Sequence, residues 1–209
     1  IKVQRGGLES ALDLFGAPSK AIVCVGVESL AKSAKVLLNN GTKSILLEKP
    51  GSLYFSELQE LNFLKKETES QVFIAYNRRF YSSVFALKKL INHDGGINNL
   101  FFEFTEWSHQ IRDENYKDEV KERWLLANST HVIDLAFYLI GLPKKNCFST
   151  FTSGSIDWHK SSARFNGAGI SKNGIQFSYC SDWESAGRWS LEIMTKKNRF
   201  LLKPMEKLQ

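Results

Sequence analysis

Apolar and polar residues follow two different rhythms along this chain, and the change between them divides it. Up to about residue 80, unbroken apolar runs alternate with amphipathic stretches. Leu8–Phe15 carries apolar residues at 8, 11, 12, 14 and 15 and predicts a short helix closed by Gly16 and Pro18. Ala21–Val27 and Ser44–Leu47 are continuous apolar runs, the pattern of strands buried on both faces. Between them, Leu30, Ala34, Leu37 and Leu38 share one face of a helix over 29–40, with Gly41 as its stop. Ser, Glu, Leu and Gln at 56–59 have the form of a capping box, and Leu58, Leu61, Phe63 and Leu64 supply the stripe of the helix that follows. A third buried strand is expected over 72–76. Helix and strand thus alternate three times, the signature of a parallel, doubly wound sheet.

Beyond Phe80 the period changes. Helices are expected over 84–91 and 129–140, the second capped by Asn128 or Ser129 and stopped by Gly141 and Pro143. A strand fits 99–107 and an exposed polar loop fits 108–122. The last third alternates residue by residue: Ile175, Phe177 and Tyr179, then Trp189, Leu191 and Ile193. Asn173-Gly174 is a two-residue hairpin signal. These features predict a partial Rossmann-like domain over 1–79 and an α/β domain over 80–209. The second domain would hold a large, mainly antiparallel open sheet with helices on one face.

With 209 residues the chain can bury a core without staples, and no run approaches the ~18 apolar residues of a membrane span. No signal-peptide pattern opens it, although it starts at Ile1 and ends in mid-pattern, as a piece of a longer protein would. A net charge of +6 comes from scattered lysines rather than one basic stripe, which argues against nucleic acid and suits a phosphate-bearing small molecule. Cys24, Cys147 and Cys180 are far apart and lack metal-ligand spacing; Cys24, in an apolar run, reads as a small buried hydrophobe. A reducing cytoplasm is the simplest compartment.

Candidate chemistry lies where strands end. Glu48 and Lys49 follow the 44–47 run, and Pro50 and Gly51 force a turn there. At the carboxyl end of a parallel strand such a pair faces a ligand, or else it is a surface turn with an ordinary ion pair. Asn77, Arg78 and Arg79 follow the third strand and suit an anionic ligand, or salt bridges between domains. His131, Asp134 and Tyr138 share one helix face. Near the positive end of the helix dipole, with a carboxylate three residues on, His131 can act as a general acid–base; taken by itself, such a histidine is more often one hydrogen-bonded at a domain seam. His93, His109 and His159 fall in polar stretches without such a pattern. Trp107 and Trp124 flank the 108–122 loop as a sugar-stacking wall or as core.

Three stretches together resemble the Gfo/Idh/MocA oxidoreductases: Ile-Leu-Leu-Glu-Lys-Pro at 45–50, Ala-Tyr-Asn-Arg-Arg-Phe at 75–80, and residues 129–141 with His131 and Asp134. Their order and spacing match over nearly the whole chain, closest in flavour to sugar and nucleotide-sugar dehydrogenases. The resemblance implies NAD or NADP bound by a Rossmann domain, and a carbohydrate substrate. It implies that Lys49 lies near the nicotinamide with Glu48 and Pro50 beside it. Val25, Gly26, Val27 and Glu28 would pass under the cofactor, and Asn77 would line its pocket. His131 would face the substrate hydroxyl, and Arg78, Arg79, Trp124 and Asp134 would line the substrate side. The chain departs from the pattern twice. Ala127 replaces an aspartate common four residues before the histidine, leaving Asn128 as the nearest polar group, and no G-x-G-x-x-G is present. A homo-oligomer, dimer or tetramer, formed through the open sheet is the expected assembly. The rival expectation is a non-catalytic Rossmann-like remnant acting as a scaffold.

Overall fold

The computed structural model describes residues 3–111 and 115–209. It divides into two units, Ile1–Ala75 and Tyr76–Gln209. The predicted boundary at 79 falls four residues later. The turn at 77–80 groups with the second unit, where Arg79 is tied to Asp134.

In the first unit, α1 (Gly7–Phe15), β1 (Lys20–Val23), α2 (Leu30–Asn39), β2 (Ser44–Glu48), α3 (Phe55–Glu67) and β3 (Gln71–Ala75) alternate as expected. The strands pair in parallel in the order β1-β2-β3. Ile45 and Leu47 are fully buried and pack with Val23, Leu30, Ala34, Leu38 and Leu61. The expectation of strands buried on both faces is corrected. Ile22, Leu46 and Phe73 stand in register across the sheet and are 74, 41 and 54% exposed, so α2 and α3 cover one face only. β1 also ends at Val23, four residues before the apolar run does. Residues 24–26 leave the ladder and Val27–Ser29 form a 3₁₀ turn, which exposes Cys24 rather than burying it. Ser56 is not a cap, because α3 begins at Phe55. Its entry is held by Ser52, whose hydroxyl donates to Glu57 and accepts from the Tyr54 N–H at 2.9 Å. Phe63 is 62% exposed and lies off the buried stripe.

The second unit holds α4 (Ser82–His93), β4 (Asn99–Glu103), the short α5 (Asp118–Lys121), α6 (Thr130–Ile140), β5 (Pro143–Ser153), β6 (Arg164–Ser171), β7 (Gln176–Asp182), β8 (Ser190–Met194) and β9 (Arg199–Leu202). The sheet order is β5-β6-β7-β4-β8-β9, antiparallel throughout except for the central β4–β7 pair. Its covered face carries Leu100, Phe102, Phe177, Leu191, Ile193 and Leu202. Phe137 of α6 packs edge-on to Phe102 at 5.8 Å and to Phe177 at 5.1 Å. Gly167 pairs with Tyr179, whose ring stacks on Phe102 at 5.1 Å. A side chain at 167 would collide with that ring, so glycine is required by space rather than by backbone angle.

Two local expectations give way here. Neither Asn128 nor Ser129 caps α6; Leu125–Ser129 form a π-helical turn leading into it, and both side chains point to Glu106. His159 is not in open polar surroundings. It is 3% exposed and packed edge-on to Trp183 at 4.8 Å.

Candidate functional site

At the carboxyl ends of the first unit's strands, the chain makes two tight features. After β1, Val25 is 45% exposed, and Gly26 comes so close to Glu28 that a Cβ there would meet the carboxylate at 2.8 Å. After β2, the Gly51 N–H donates to the Glu48 carbonyl at 3.0 Å, closing a four-residue turn over a cis Lys49–Pro50 bond, the geometry of a type VI turn. Gly51 has φ +89°, and a Cβ would sit 2.6 Å from Ile74 Cδ1. Pro50 is buried; Glu48 and Lys49 are half-buried at the strand's end.

The second unit gathers polar side chains around one buried carboxylate. Alternation along β4 and its continuation puts Leu100, Phe102 and Phe104 on the covered face, and Glu106 follows in the same register, 3% exposed. An acid there needs donors. It accepts from Ser129 Oγ at 2.7 Å, from Asn128 Nδ2 at 3.1 and 3.2 Å, and from Trp189 Nε1 at 3.2 Å. Arg188 Nη1 lies 3.5 Å from its Oε2. Burial pushes the carboxyl above its ordinary range, while Ser129, Arg188, Trp189 and Trp124 pull it back. Two consecutive side chains of the π-helical turn, Asn128 and Ser129, thus meet one carboxylate. The Thr130 hydroxyl closes that turn on the Leu126 carbonyl at 2.8 Å.

His131 lies in the first turn of α6, with its ring 5.8 Å from Trp189 and edge-on to Tyr76 at 6.5 Å. Burial raises the Tyr76 phenol, opposed by a hydrogen bond with Thr130. The expected partner of the imidazole, Asp134, is engaged elsewhere. Its Oδ2 accepts from Arg79 Nε at 2.7 Å, and its Oδ1 takes a second bond from the same guanidinium. Arg79 also lies 4.9 Å from the Tyr138 ring, so the face with Tyr138 is a fork-and-ring lock rather than a proton path. Arg78 Nη1 donates to Glu206 at 3.0 Å, and its guanidinium lies 4.9 Å from the Trp189 ring. Asn77 is exposed. Trp124 is 6% exposed and packs edge-on to Tyr116 and Trp158, which makes it core; Trp107, 42% exposed, is the open indole of the pair.

Four residues of this cluster were not read from sequence as site residues: Tyr76, Glu106, Arg188 and Trp189. For two of them a signal existed. Continuing the period-2 register 100, 102, 104 reaches Glu106, and Trp189 already stands in the alternating run 189, 191, 193, which reads as sheet core rather than as site. Arg188 has no such signal. Among the described residues no cluster of His, Cys, Asp or Glu could hold a metal ion, and no helix is long and apolar enough to cross a membrane.

No family model matches the chain. Over 112 residues it is 26% identical to the scyllo-inositol 2-dehydrogenase (NADP(+)) IolW of Bacillus subtilis, covering 49% of this chain and 29% of that protein. The WlbA dehydrogenase of Bordetella pertussis, solved with NADH and UDP-GlcNAcA, superposes over 94% of this chain and 58% of its own, with a TM-score of 0.74 at 14% identity. The UDP-N-acetylglucosamine 3-dehydrogenase GnnA of Acidithiobacillus ferrooxidans matches over 91% of this chain and 59% of its own, with a TM-score of 0.68 at 14% identity. The chain therefore has the fold of the Gfo/Idh/MocA-type dehydrogenases that its motifs resemble, and it spans less than two thirds of the length of each of these relatives.

Proposed function

We propose that this chain is part of an NAD(P)-dependent oxidoreductase acting on a hydroxyl-bearing carbon of a sugar or nucleotide sugar. The observation that carries this reading is the Glu106 cluster. Burying a carboxylate under the residues that introduce His131 costs stability, and it suits a site that needs Asn128 and the first turn of α6 held in one arrangement. The residues after β1 and β2 fit the nicotinamide end of a dinucleotide: Val25 offers an exposed apolar ledge, Glu28 folds its carboxylate against Gly26, and Glu48 and Lys49 offer a charged rim. None of the described residues forms a glycine-rich phosphate cradle. When bound, the cofactor supplies hydride acceptance.

The chain's own residues manage the proton. Lys49 is the leading proton-transfer residue, His131 its partner facing the substrate hydroxyl, and Asn128, itself held by Glu106, orients that hydroxyl. Arg78 and the open indole of Trp107 form the substrate side, with Arg79, Asp134 and Trp124 as its supporting frame. The protein acts in the cytoplasm. It self-associates through the uncovered face of the large sheet, where Phe151 and Ile170 are 63 and 39% exposed.

A second reading, a non-catalytic scaffold, is favoured by one observation: the carboxylate three residues after His131 is spent on Arg79. Two measurements separate the two: binding titrated with NADH and NADPH, and turnover read as absorbance appearing at the nicotinamide band when NAD+ or NADP+ is supplied with UDP-N-acetylglucosamine or scyllo-inositol. The dehydrogenase reading expects turnover that falls by about 10²–10⁴-fold in His131→Ala and in Lys49→Ala. Turnover indifferent to both substitutions removes the assigned roles, and absence of nucleotide binding leaves the scaffold.

A further inference from the structure

We propose that Arg188 is an oxyanion-recognising residue that binds a carboxylate or phosphate of an acidic sugar or sugar nucleotide. The inference rests on reading the surroundings of His131 as a substrate site. The Arg188 guanidinium lies 4.5 Å from the centroid of the Trp107 ring and 4.7 Å from that of Trp189. Two indoles fix a planar cation whose rotamers would otherwise have to be ordered on binding. Its backbone is held as well. The Arg188 N–H donates to Glu103 Oε1 at 3.1 Å, the Trp107 indole N–H to the Gly187 carbonyl at 3.0 Å, and a Cβ on Gly187 would sit 2.2 Å from Glu103 Oε1.

This preorganised fork is poorly used within the chain. Its acidic neighbour Glu106 stands 3.5 Å away, longer than the ~2.7–2.9 Å of a charge-assisted bond, and already accepts from Ser129, Asn128 and Trp189. The Arg188 side chain remains 39% exposed. Trp189 is the shared wall: its ring is 5.8 Å from His131 and 4.9 Å from the Arg78 guanidinium. An anion bound at Arg188 thus lies one indole away from the imidazole, with a second cation beside the same ring. Arg78 is paired with Glu206 at 3.0 Å and its side chain is 16% exposed against 39% for Arg188, which leaves Arg188 as the more accessible of the two cations.

The test is direct binding without cofactor, read by tryptophan fluorescence and calorimetry on the full chain. The probes are glucuronate, UDP-N-acetylglucosamine and myo-inositol, against wild type, Arg188→Lys and Arg188→Gln. Lysine keeps a counter-charge for Glu106, so a folded variant is retained even if glutamine destabilises the chain, and melting curves establish this. The proposal expects wild type to bind an anionic probe more tightly than inositol, and Arg188→Lys to weaken that probe by roughly 10- to 100-fold with inositol unchanged. A loss confined to glucuronate identifies a carboxylate, and one confined to UDP-N-acetylglucosamine identifies phosphate. Anionic probes that bind no better than inositol, or equally well to the folded Lys variant, overturn it. Failure here is separable from failure of the dehydrogenase reading. Inositol turnover without anion preference sinks only the former, and Arg188-dependent anion binding without turnover sinks only the latter.

Discussion

The Ser129 hydroxyl donates to the Glu106 carboxylate at 2.7 Å, joining the residue just before α6 to the end of the central strand β4. Both groups are buried, at 0 and 3% exposure. Water therefore cannot take the place of either partner at little cost. Through this bond and the two from Asn128, the start of the helix that carries His131 is fixed to the sheet rather than to its own cap.

That arrangement predicts a distinctive pH dependence. Burial holds the Glu106 carboxyl above its ordinary value of 4.5, against the opposing pull of its donors. The folded chain then keeps a proton that the unfolded chain has already released. The stability linked to this proton is fully present below pH 4.5 and is lost as pH rises through the raised value, by about 1.4 kcal/mol per pH unit spanned. Glu106→Gln removes the titration. The melting temperature of wild type minus that of the variant should fall as pH is raised from 4.5. A constant difference would show that Glu106 titrates alike folded and unfolded.

Much of this was legible in the chain and some was not, for reasons particular residues show. Unbroken apolar runs located β1, β2 and β3, because a strand core must be apolar wherever helices cover it. They did not reveal that Ile22, Leu46 and Phe73 face outward, since an apolar residue reads the same whether or not its cover is present. Asn173-Gly174 marked the β6–β7 hairpin, because local backbone chemistry decides such turns. His131 was found by its helical spacing to Asp134, but spacing on one helix cannot know that Arg79 arrives from 55 residues away. Arg188 and Trp189 join the site only through β-pairing of distant segments, which a periodicity does not encode.

The Arg79–Asp134 fork should behave as a half-buried ion pair. Its side chains are 36 and 13% exposed, so solvent screens part of the attraction. Asp134→Asn and Arg79→Gln are each expected to lower stability, with a coupling of about 1 kcal/mol in a double-mutant cycle followed by urea denaturation. Additive single effects would mean that the fork is geometry without energy.

Gly167→Ala tests the packing of the covered sheet face. The added Cβ would fall 2.4 Å from the Tyr179 ring, far inside contact distance. That ring is pinned between Phe102 at 5.1 Å and Phe104 at 5.8 Å. With little room to swing aside, the strands must part or the ring must leave its rotamer, costing about 1–3 kcal/mol. The denaturation midpoint should drop accordingly. A neutral substitution would mean that the Tyr179 ring can repack.

Gly51→Ala bears on the turn that presents Lys49, and two effects act together there. At φ +89° an L side chain is strained by about 1–2 kcal/mol, and its Cβ would lie 2.6 Å from Ile74 Cδ1 on β3. Ile74 has a flexible end and can yield a little; the backbone angle cannot be relieved without reopening the bond from the Gly51 N–H to the Glu48 carbonyl. Loss of stability should therefore exceed the strain alone. If Lys49 transfers a proton, turnover in the folded fraction should fall as well, because the amine is displaced rather than removed. Substituting Ile74→Val in the Gly51→Ala background relieves the steric part but not the strain. Partial recovery of the melting temperature with turnover still depressed would assign the kinetic effect to the turn. Full recovery of both would assign everything to the clash.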